Sequence, residues 1–172
     1  MKGLISQLPL IKEKSGWPWT IETDPKIYDP NFNWPKISIV TPSFNQGEYI
    51  EETIRSVILQ NYPNIEYVII DGGSSDITIQ IINKYEKWIT FWVSEQDDGQ
   101  ADAINKGIGY LSGHIFNWIN SDDLLSEKSL YYIAINYDQY DIIAGKTMIF
   151  SDRGSYIDEN KNLIKIPDFV KT

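Results

Sequence analysis

Residues 115–123 read Ile115-Phe116-Asn117-Trp118-Ile119-Asn120-Ser121-Asp122-Asp123, a mostly apolar run that ends at two adjacent carboxylates. The run is rich in β-branched and aromatic residues and predicts a buried strand. Side chains just beyond the carboxyl end of a strand in an open α/β sheet face the crevice in which ligands bind. Asp122 and Asp123 repel each other there unless a positive group joins them, and a hard divalent cation with oxygen ligands meets that requirement. The alternative is an ordinary loop that leads into a helix capped by Ser126.

The composition of the chain excludes several classes of site. With 172 residues and 42% hydrophobic content, the chain suits one domain with a sizeable core. It has no cysteine and only one histidine, His114, so disulfides, thiolate metal sites and imidazole-based zinc sites are excluded. The net charge of -9 argues against a nucleic-acid partner, which would require a basic surface. We find no signal peptide and no apolar run of membrane-spanning length, and therefore expect a soluble, cytoplasmic protein.

Three segments of the chain differ in composition. Residues 1–35 are rich in proline and tryptophan and lack periodicity, which predicts an extended arm whose tryptophans pack on the domain. Residues 36–150 show regular apolar patterns and form the predicted main domain. Residues 151–172 are polar and weakly patterned.

Within the main domain, apolar runs alternate with helical stripes. Strands are predicted at 37–40, 65–70, 91–93 and 115–119, with two more at 142–143 and 148–150. The first two helical stripes consist of Ile50, Ile54, Val57 and Ile58, and of Ile77, Ile81, Tyr85 and Trp88. Two further helices are predicted at 100–106, ended by Gly107 as a left-handed cap, and at 127–136. This alternation predicts an α/β fold with a parallel sheet and right-handed crossovers.

Two other loops at strand ends could hold a nucleotide. In residues 41–47, Phe44 offers a flat face on which a base could stack, although the ring could equally pack in the core. Asp71 is followed by two glycines and two serines, so the backbone can approach a ligand and Asp71 can accept a hydrogen bond from the N–H of a base. The alternative is a glycine-rich turn in which Asp76 caps the next helix. Neither a Gly-x-Gly-x-x-Gly turn nor a P-loop is present.

Four motifs in the chain together resemble one known family. They are residues 37–45 (ISIVTPSFN), 68–76 (VIIDGGSSD), 94–107 (SEQDDGQADAINKG) and 120–123 (NSDD). In this order they resemble the nucleotide-sugar domain of inverting family-2 glycosyltransferases, over roughly residues 36–150. The resemblance implies the GT-A fold of nucleotide-diphospho-sugar transferases, with a mostly parallel central sheet flanked by helices. It also implies that a UDP-sugar or related donor binds at the strand ends.

The resemblance implies roles for individual residues in donor binding. Pro42 and Phe44 would contact the base, Asp71 would bond the N–H edge of the base, and Asn120 would lie near the ribose. The complete set of expected substrate-binding residues is Thr41, Pro42, Phe44, Asp71, Gln100, Asp102, Asn105, Asn120 and Ser121. Asp102, Asn105 and Lys106 could equally form a solvated helix face, which for Lys106 is the favoured interpretation.

The expected metal site consists of Asp122, which would bind Mn²⁺ or Mg²⁺ bridging the diphosphate, and Asp123, which would assist. The chain departs from the family pattern at three positions. Asn120 stands in place of the first acid of the usual Asp-x-Asp, which removes one charge from the metal site. Gly72 stands in place of the second acid of the usual Asp-Asp-Gly, and Ile104 in place of a basic residue that would contact the donor.

The catalytic base is not identified from the sequence. An inverting displacement needs a carboxylate that takes the proton of the acceptor hydroxyl. In the family this base follows the metal motif, where the present chain offers Asp152, Asp158, Glu159 and Asp168, none of which matches the family's base motif. Residues 151–172 are therefore expected to begin an acceptor-side segment that is incomplete.

Two functions remain open at this point. The first is a metal-assisted, inverting glycosyltransferase of polysaccharide biosynthesis that moves a sugar from a UDP-sugar to a glycan or lipid-linked acceptor. Such an enzyme could associate peripherally with the inner face of the membrane. The second is a non-catalytic or truncated sugar-nucleotide-binding module that needs a partner or a further C-terminal half.

Overall fold

The computed structural model describes residues 2–151 and 154–158 of the chain. It contains two compact units, Met1–Tyr131 and Tyr132–Thr172. The boundary between the units lies before position 150, the expected end of the main domain. Among the described residues, no helix has the length and apolar character needed to cross a membrane.

The first unit is built on a four-stranded parallel sheet. Its strands are β1 (Ile37–Ser43), β2 (Ile65–Asp71), β3 (Phe91–Ser94) and β4 (Ile115–Trp118), in the spatial order β3-β2-β1-β4. Every pairing in this sheet is parallel, which confirms the predicted α/β class. All seven residues of β1 are buried, because β1 lies between two neighbouring strands.

A helix follows each of these strands along the chain. The four helices are α1 (Ile50–Ile58), α2 (Thr78–Tyr85), α3 (Gln100–Ile108) and α4 (Ser129–Ala134). Short 3-10 helices are found at Ile5–Gln7, Pro25–Ile27, Glu86–Trp88 and Tyr137–Gln139. In the second unit, β5 (Thr147–Ser151) and β6 (Gly154–Asp158) form an antiparallel hairpin.

The core beneath α3 joins three elements. Val40 of β1, Val68 and Ile70 of β2, and Ala103 of α3 are all buried in one cluster. Burial of such side chains contributes about 1.5–3 kcal/mol each for the larger aliphatic ones. This packing fixes α3 across the sheet, so that the start of α3 lies near the carboxyl ends of the strands.

Gly107 does not end α3 as a left-handed cap, and that prediction is wrong. The helix continues to Ile108, and Gly107 is not among the residues with positive φ. A Cβ atom at position 107 would lie 2.6 Å from Cγ1 of Val40. Glycine is therefore required here because α3 approaches β1 closely.

Other helix predictions are confirmed or corrected at their ends. Asp76 caps α2 as predicted, since its Oδ1 accepts a hydrogen bond from the N–H of Thr78 at 2.9 Å. Ile77 precedes the helix and is 52% exposed, so it does not join the buried stripe. The helix predicted at 127–136 is shorter, because Lys128 has φ of 65° and α4 begins only at Ser129.

Two smaller expectations also differ from the structure. Ser126 lies three residues before the start of α4; its carbonyl oxygen accepts the Ser129 N–H at 3.2 Å, and its hydroxyl bonds that of Ser129. No strand forms at the predicted residues 142–143, where only Ile142 makes an isolated bridge. The strand predicted at 148–150 is confirmed as the middle of β5.

The residues before β1 pack against α1. Trp19 and Trp34 are buried, and Tyr28 packs edge-to-face on Trp34 with ring centroids 5.1 Å apart. The guanidinium of Arg55 on α1 is buried and donates to the backbone carbonyls of Pro9, Pro18 and Trp19 at 3.0–3.2 Å. This part of the chain is thus tied to the domain by both aromatic packing and hydrogen bonds.

Candidate functional site

A pocket lies at the carboxyl ends of the four parallel strands. The strand order places β4 and β2 on opposite sides of β1, so the direction in which successive strands are added to the sheet reverses at β1, and the switch point lies between β1 and β4. Ligands bind at such switch points in open α/β sheets. The pocket has a volume of about 550 Å³ and is lined by Pro42, Ser43, Phe44, Gln46, Gly72, Gln96, Asp97, Gly99, Gln100, Ala103, Asn120, Ser121 and Asp122.

The loop after β1 presents an exposed aromatic ring on a tethered backbone. Phe44 is 59% exposed and lines the pocket, so it does not pack in the core. The N–H of Asn45 donates to the Ser74 hydroxyl at 2.7 Å, and the N–H of Gly47 donates to Asp76 Oδ2 at 2.9 Å. Because the backbone on the C-terminal side of Phe44 is held, the ring offers a pre-positioned flat face to a ligand.

The carboxylate of Asp71 organises its own loop. It is fully buried at the end of β2 and accepts hydrogen bonds from the N–H groups of Gly73 and Ser74. The hydroxyls of Ser74 and Ser94 donate to it as well, at 2.5 and 2.7 Å. Four donors from the protein therefore surround this carboxylate, which does not line the pocket.

Asp97 is a pocket residue that was absent from the sequence-based set. Its Oδ1 accepts a hydrogen bond from the N–H of Gly99 at 2.9 Å. Its Oδ2 lies beside Gly72, where an added Cβ would approach that oxygen to 2.8 Å. The sequence placed Asp97 inside the third motif, but only the fold shows that its side chain reaches the pocket.

The first turn of α3 contributes Gln100 to the pocket. The amide Nε2 of Gln100 donates to Oδ1 of Asn120 at 2.5 Å, which links α3 to the loop after β4. Asp102 accepts a hydrogen bond from the N–H of Asp98 and pairs with Lys106 at 3.2 Å, and both interactions lower the pKa of the Asp102 carboxyl. Asn105 is exposed on the same helix.

The loop after β4 forms a turn that presents one free carboxylate. The N–H of Asp123 donates to the carbonyl of Asn120 at 3.1 Å, and Nδ2 of Asn120 donates to Asp123 Oδ2 at 2.9 Å. Asp122 is exposed and faces the pocket. Asn120 and Asp123 thus hold each other, and Asp122 is left available for a ligand.

The donor set of this loop fits a cation that is shared with a phosphate ligand. Among residues 2–151 and 154–158, no group of three or more His, Cys, Asp or Glu side chains could hold a metal ion. Mg²⁺ and similar ions at phosphate sites take only one or two protein carboxylates, and substrate oxygens and water supply the rest. Asp122, with Asp123 beside it in the chain, meets that requirement.

Polar side chains of α1 and of the residues just after it, here called the polar stripe, hold the loop after β4 by hydrogen bonds. The hydroxyl of Thr53 lies within hydrogen-bond distance, 2.9 Å, of the carbonyl oxygens of both Ser121 and Asp123. The backbone beyond the loop is bonded by Ser56 and Gln60, which follow at helical spacing. All three side chains are fully buried. Buried hydroxyls and amides are usually hydrogen-bonded, and these three satisfy backbone groups of a neighbouring segment.

The structure brings part of the expected substrate set together in the pocket. Pro42, Phe44, Gln100, Asn120, Ser121 and Asp122 line it, whereas Thr41, Asp71, Asp102, Asn105 and Asp123 do not. The Thr41 hydroxyl is buried 3.0 Å from that of Tyr67. Of the residues considered for the base, Asp152, Glu159 and Asp168 lie outside the described residues, and Asp158 is described only as the end of β6.

Comparison with known proteins decides the family. The sequence model described as glycosyl transferase family 2 matches residues 38–170, well over half of the chain. The chain belongs to glycosyltransferase family 2. This membership confirms the resemblance that the four motifs indicated.

Curated relatives of this family-2 chain are considerably longer than it is. An uncharacterized glycosyltransferase of Mycobacterium tuberculosis is 38% identical over 102 residues, which cover 59% of this chain and 39% of the relative. TuaG of Bacillus subtilis, provisionally named a teichuronic acid biosynthesis glycosyltransferase, is 39% identical over 102 residues, which cover 57% of this chain and 40% of TuaG. The family-2 chain thus spans well under half the length of the curated relatives it matches.

Solved structures confirm the GT-A fold. S. aureus TarS 1-349 is 26% identical with a TM-score of 0.56, covering 61% of this chain and 33% of TarS. The same protein in complex with UDP-GlcNAc matches equally, covering 61% and 32%. The mannosyltransferase PcManGT of Pyrobaculum calidifontis, in complex with GDP-Man and Mn²⁺, has a TM-score of 0.57 at 22% identity, covering 73% and 37%, and shows the fold alone.

Proposed function

We propose that this chain is the donor-binding part of a glycosyltransferase that transfers a sugar from a UDP-sugar to a hydroxyl of a glycan or lipid-linked acceptor. The observation that carries the proposal is the pocket at the switch point, which has an exposed aromatic ring at one wall and a free carboxylate at another. Both features suit a nucleoside diphosphate, because its base requires a stacking surface and its phosphates require a cation, for which the carboxylate can be a ligand.

Donor binding divides among the loops of the pocket. Phe44 and Pro42 face the base, and Asn120 lies near the ribose. Asp122 would hold Mn²⁺ or Mg²⁺, which would neutralise charge on the diphosphate, and Asp123 assists by fixing Asn120. The fixed loops keep these groups in place before the ligand arrives, which lowers the entropic cost of binding.

The chemistry follows from the charge of the leaving group. When bound, the divalent cation stabilises the negative charge that develops on the departing diphosphate. Asp122 supplies the protein ligand for that ion, and the hydrogen bonds of Thr53 and Asn120 keep the Asp122 turn in place. An inverting displacement also requires a carboxylate that accepts the proton of the acceptor hydroxyl, and we place that group beyond Asp123 in the chain.

The comparisons support this donor class and a role in surface glycans. TarS was solved with UDP-GlcNAc, which supports a uridine nucleotide over other donors. TuaG is named provisionally for teichuronic acid biosynthesis, which supports a polysaccharide product. A lipid-linked acceptor would place the reaction at the inner, cytoplasmic face of a membrane, where the chain would bind peripherally.

A comparison of three ligands tests the proposal on the wild-type chain. UDP, UMP and uridine are titrated by calorimetry with and without Mn²⁺. We expect Mn²⁺ to tighten UDP binding by about tenfold or more, equivalent to about 1.4 kcal/mol, and to leave uridine unaffected. Binding of all three ligands with no response to Mn²⁺ would contradict a metal-bridged diphosphate, and failure to bind UDP would contradict the donor site.

A further inference from the structure

The loop between β4 and α4 is held from two sides. At Leu125 both backbone polar groups are bonded, since the N–H donates to Ser56 Oγ at 3.1 Å and the carbonyl accepts from Trp17 Nε1 at 2.8 Å. Ser56 belongs to α1, whereas Trp17 belongs to residues 2–35, here called the N-terminal arm. Leu125 lies three residues beyond Asp122, the carboxylate that faces the pocket. A contact from outside the pocket therefore holds the backbone close to the proposed cation ligand.

A second contact from the N-terminal arm holds the end of the same loop. Thr23 is fully buried, and its hydroxyl oxygen accepts a hydrogen bond from the N–H of Lys128 at 3.1 Å. Lys128 has φ of 65°, in the left-handed region that residues other than glycine seldom adopt. Such a conformation persists where the surrounding structure fixes it. The arm thus helps to fix the loop at both Leu125 and Lys128.

The N-terminal arm is itself anchored to α1, so the contacts form a closed circuit. The guanidinium of Arg55 donates to the carbonyls of Pro18 and Trp19, at 3.0 Å each. The N–H of Thr23 donates to the carbonyl of Leu59, just beyond α1, at 2.9 Å. The helix therefore holds the loop after β4 directly through the polar stripe, and a second time through the arm.

We propose that Trp17 and Thr23 are positioning residues for the cation site, and that the N-terminal arm is needed for Mn²⁺-dependent binding of the donor. The inference rests on the proposed function and deepens it. The residues that line the pocket all lie between positions 42 and 122, so the arm acts on a bound ligand only through the loop. The arm also precedes residue 38, where the match to the family model begins. The proposal therefore concerns a part of the chain that the family membership does not account for.

Calorimetric titration of UDP, with and without Mn²⁺, into Trp17→Phe and Trp34→Phe tests the inference. Trp17→Phe keeps an aromatic ring but loses the N–H that holds Leu125. We expect it to reduce the Mn²⁺-dependent gain in UDP affinity by about threefold to tenfold, at or below the low end of the effect for partners that hold a metal ligand directly. UDP binding without Mn²⁺ should stay close to that of wild type. Trp34→Phe is the matched control, because it loses an indole hydrogen bond of 2.9 Å to the carbonyl of Asp29 within the arm, and it should keep the full gain.

Thr23→Val and Thr23→Ser repeat the test at the second contact, and they carry it even if Trp17→Phe does not fold. Valine leaves the N–H of Lys128 without its acceptor and should also reduce the Mn²⁺-dependent gain. Serine keeps the hydroxyl and should restore the gain. A purely structural role would instead lower the melting temperature of the valine variant and leave the gain unchanged.

Amide hydrogen exchange of the ligand-free chain measures the positioning without any ligand. The N–H groups of Asp123 and Leu125 should exchange about threefold faster or more in Trp17→Phe than in wild type, and at the wild-type rate in Trp34→Phe. An unchanged Mn²⁺-dependent gain in Trp17→Phe, unchanged exchange at these amides, or equal effects of the two tryptophan variants would overturn the inference. Wild-type chain that binds no UDP, or binds it without a response to Mn²⁺, would instead contradict the proposed function, and the exchange rates would still decide whether the arm holds the loop.

Discussion

At the scale of single residues, the turn after β4 shows how one amide can replace an acid. Asn120 accepts a hydrogen bond from Gln100 and donates one to Asp123. A carboxylate at position 120 could not donate to Asp123 and would add a third negative charge to the turn, beside Asp122 and Asp123. The amide therefore stabilises the turn without a cation, at the expense of one charged metal ligand.

Asn120→Asp should make the turn more dependent on a divalent cation. Without metal, we expect a lower melting temperature, because adjacent carboxylates repel each other. With Mn²⁺ and UDP, the extra charge should tighten metal binding by several-fold to about tenfold. Melting curves with and without Mn²⁺ measure both effects, and Asn105→Asp, on the exposed face of α3, is the control. An identical response of the two variants would contradict the role given to Asn120.

Glu66, near the amino-terminal end of β2 and so at the opposite end of the strands from the pocket, should make stability depend on acidic pH. Burial alone would raise its pKa, but hydrogen bonds from Ser38 and Ser112 outweigh burial and hold the pKa below its usual value. A lowered native pKa means that stability is fully present above the unfolded value of about 4.3 and is lost as pH falls through the native pKa.

Urea denaturation between pH 3 and pH 7 measures this contribution. Glu66→Gln should be less stable than wild type at pH 7, and the difference should shrink as pH falls below about 4.3. Glu86→Gln, at an exposed position, should follow the wild-type curve. A difference between Glu66→Gln and wild type that is constant with pH would contradict the argument.

At the scale of elements, the polar stripe of α1 connects the helix to the loop after β4. Thr53→Val removes the hydroxyl that bonds the carbonyls of Ser121 and Asp123. We expect Mn²⁺-dependent UDP binding to weaken by about tenfold, as for other partners that orient metal ligands. UDP binding without Mn²⁺ should change much less, because Phe44 and Pro42 lie on a different loop.

Thr53→Ser is the matched control for this prediction. It retains the hydroxyl and should restore most of the Mn²⁺ effect, even if the lost methyl group lowers stability. A purely structural role for Thr53 would lower the melting temperature of the valine variant without a selective loss of the Mn²⁺ effect, and that result would contradict positioning.

The sequence predicted the elements well where burial is continuous. The strands β1 and β2 are apolar runs buried between neighbours, so their positions could be read directly from hydrophobicity. The position of β4 was also predicted, but its burial was not: β4 is an edge strand of the sheet, and its Phe116 and Trp118 are 44% and 49% exposed. The end of α3 could not be read from the sequence in this way. A glycine near a helix end predicts a cap, but Gly107 instead allows the helix to pack closely on Val40. Tertiary contact decided between the two.

The candidate site was predictable only in part, for a similar reason. Residues immediately after strands, such as Phe44 and Asp122, could be placed at the strand ends by the fold class alone. Asp97 lies three residues beyond β3 in a charged run, and only the approach of its loop to Gly72 directs it into the pocket. The sequence placed Asp71 at the end of β2, but it did not predict the four protein groups that donate hydrogen bonds to its carboxylate.

At the scale of the whole molecule, the segment before β1 braces α1 and α2 through a buried arginine. Arg55 donates to three carbonyls of this segment and to the hydroxyl of Tyr85. The same segment also contacts the backbone that follows residues 120–123, where Trp17 Nε1 donates to the carbonyl of Leu125 at 2.8 Å. Loss of the arginine should therefore loosen a large part of the first unit.

Arg55→Met should lower the free energy of unfolding by about 3 kcal/mol or more, because it leaves several buried carbonyls without donors. Arg55→Lys keeps the charge but not the forked geometry, and should recover only part of the free energy of unfolding that Arg55→Met loses. Lys84→Met, at a half-exposed position 4.0 Å from Glu51, should change stability by no more than about 1 kcal/mol. Urea denaturation measures all three, and equal losses for Arg55→Met and Lys84→Met would contradict the bracing role.

The donor site is the central claim for the molecule as a whole, and substitution of Asp122 tests it most directly. The most direct measurement is calorimetric titration of UDP, with and without Mn²⁺, into wild type, Asp122→Ala and the control Asp98→Ala. We predict that Mn²⁺ tightens UDP binding in wild type and in the control by about tenfold or more, and that this gain is lost in Asp122→Ala. A gain of equal size in all three proteins would contradict the account.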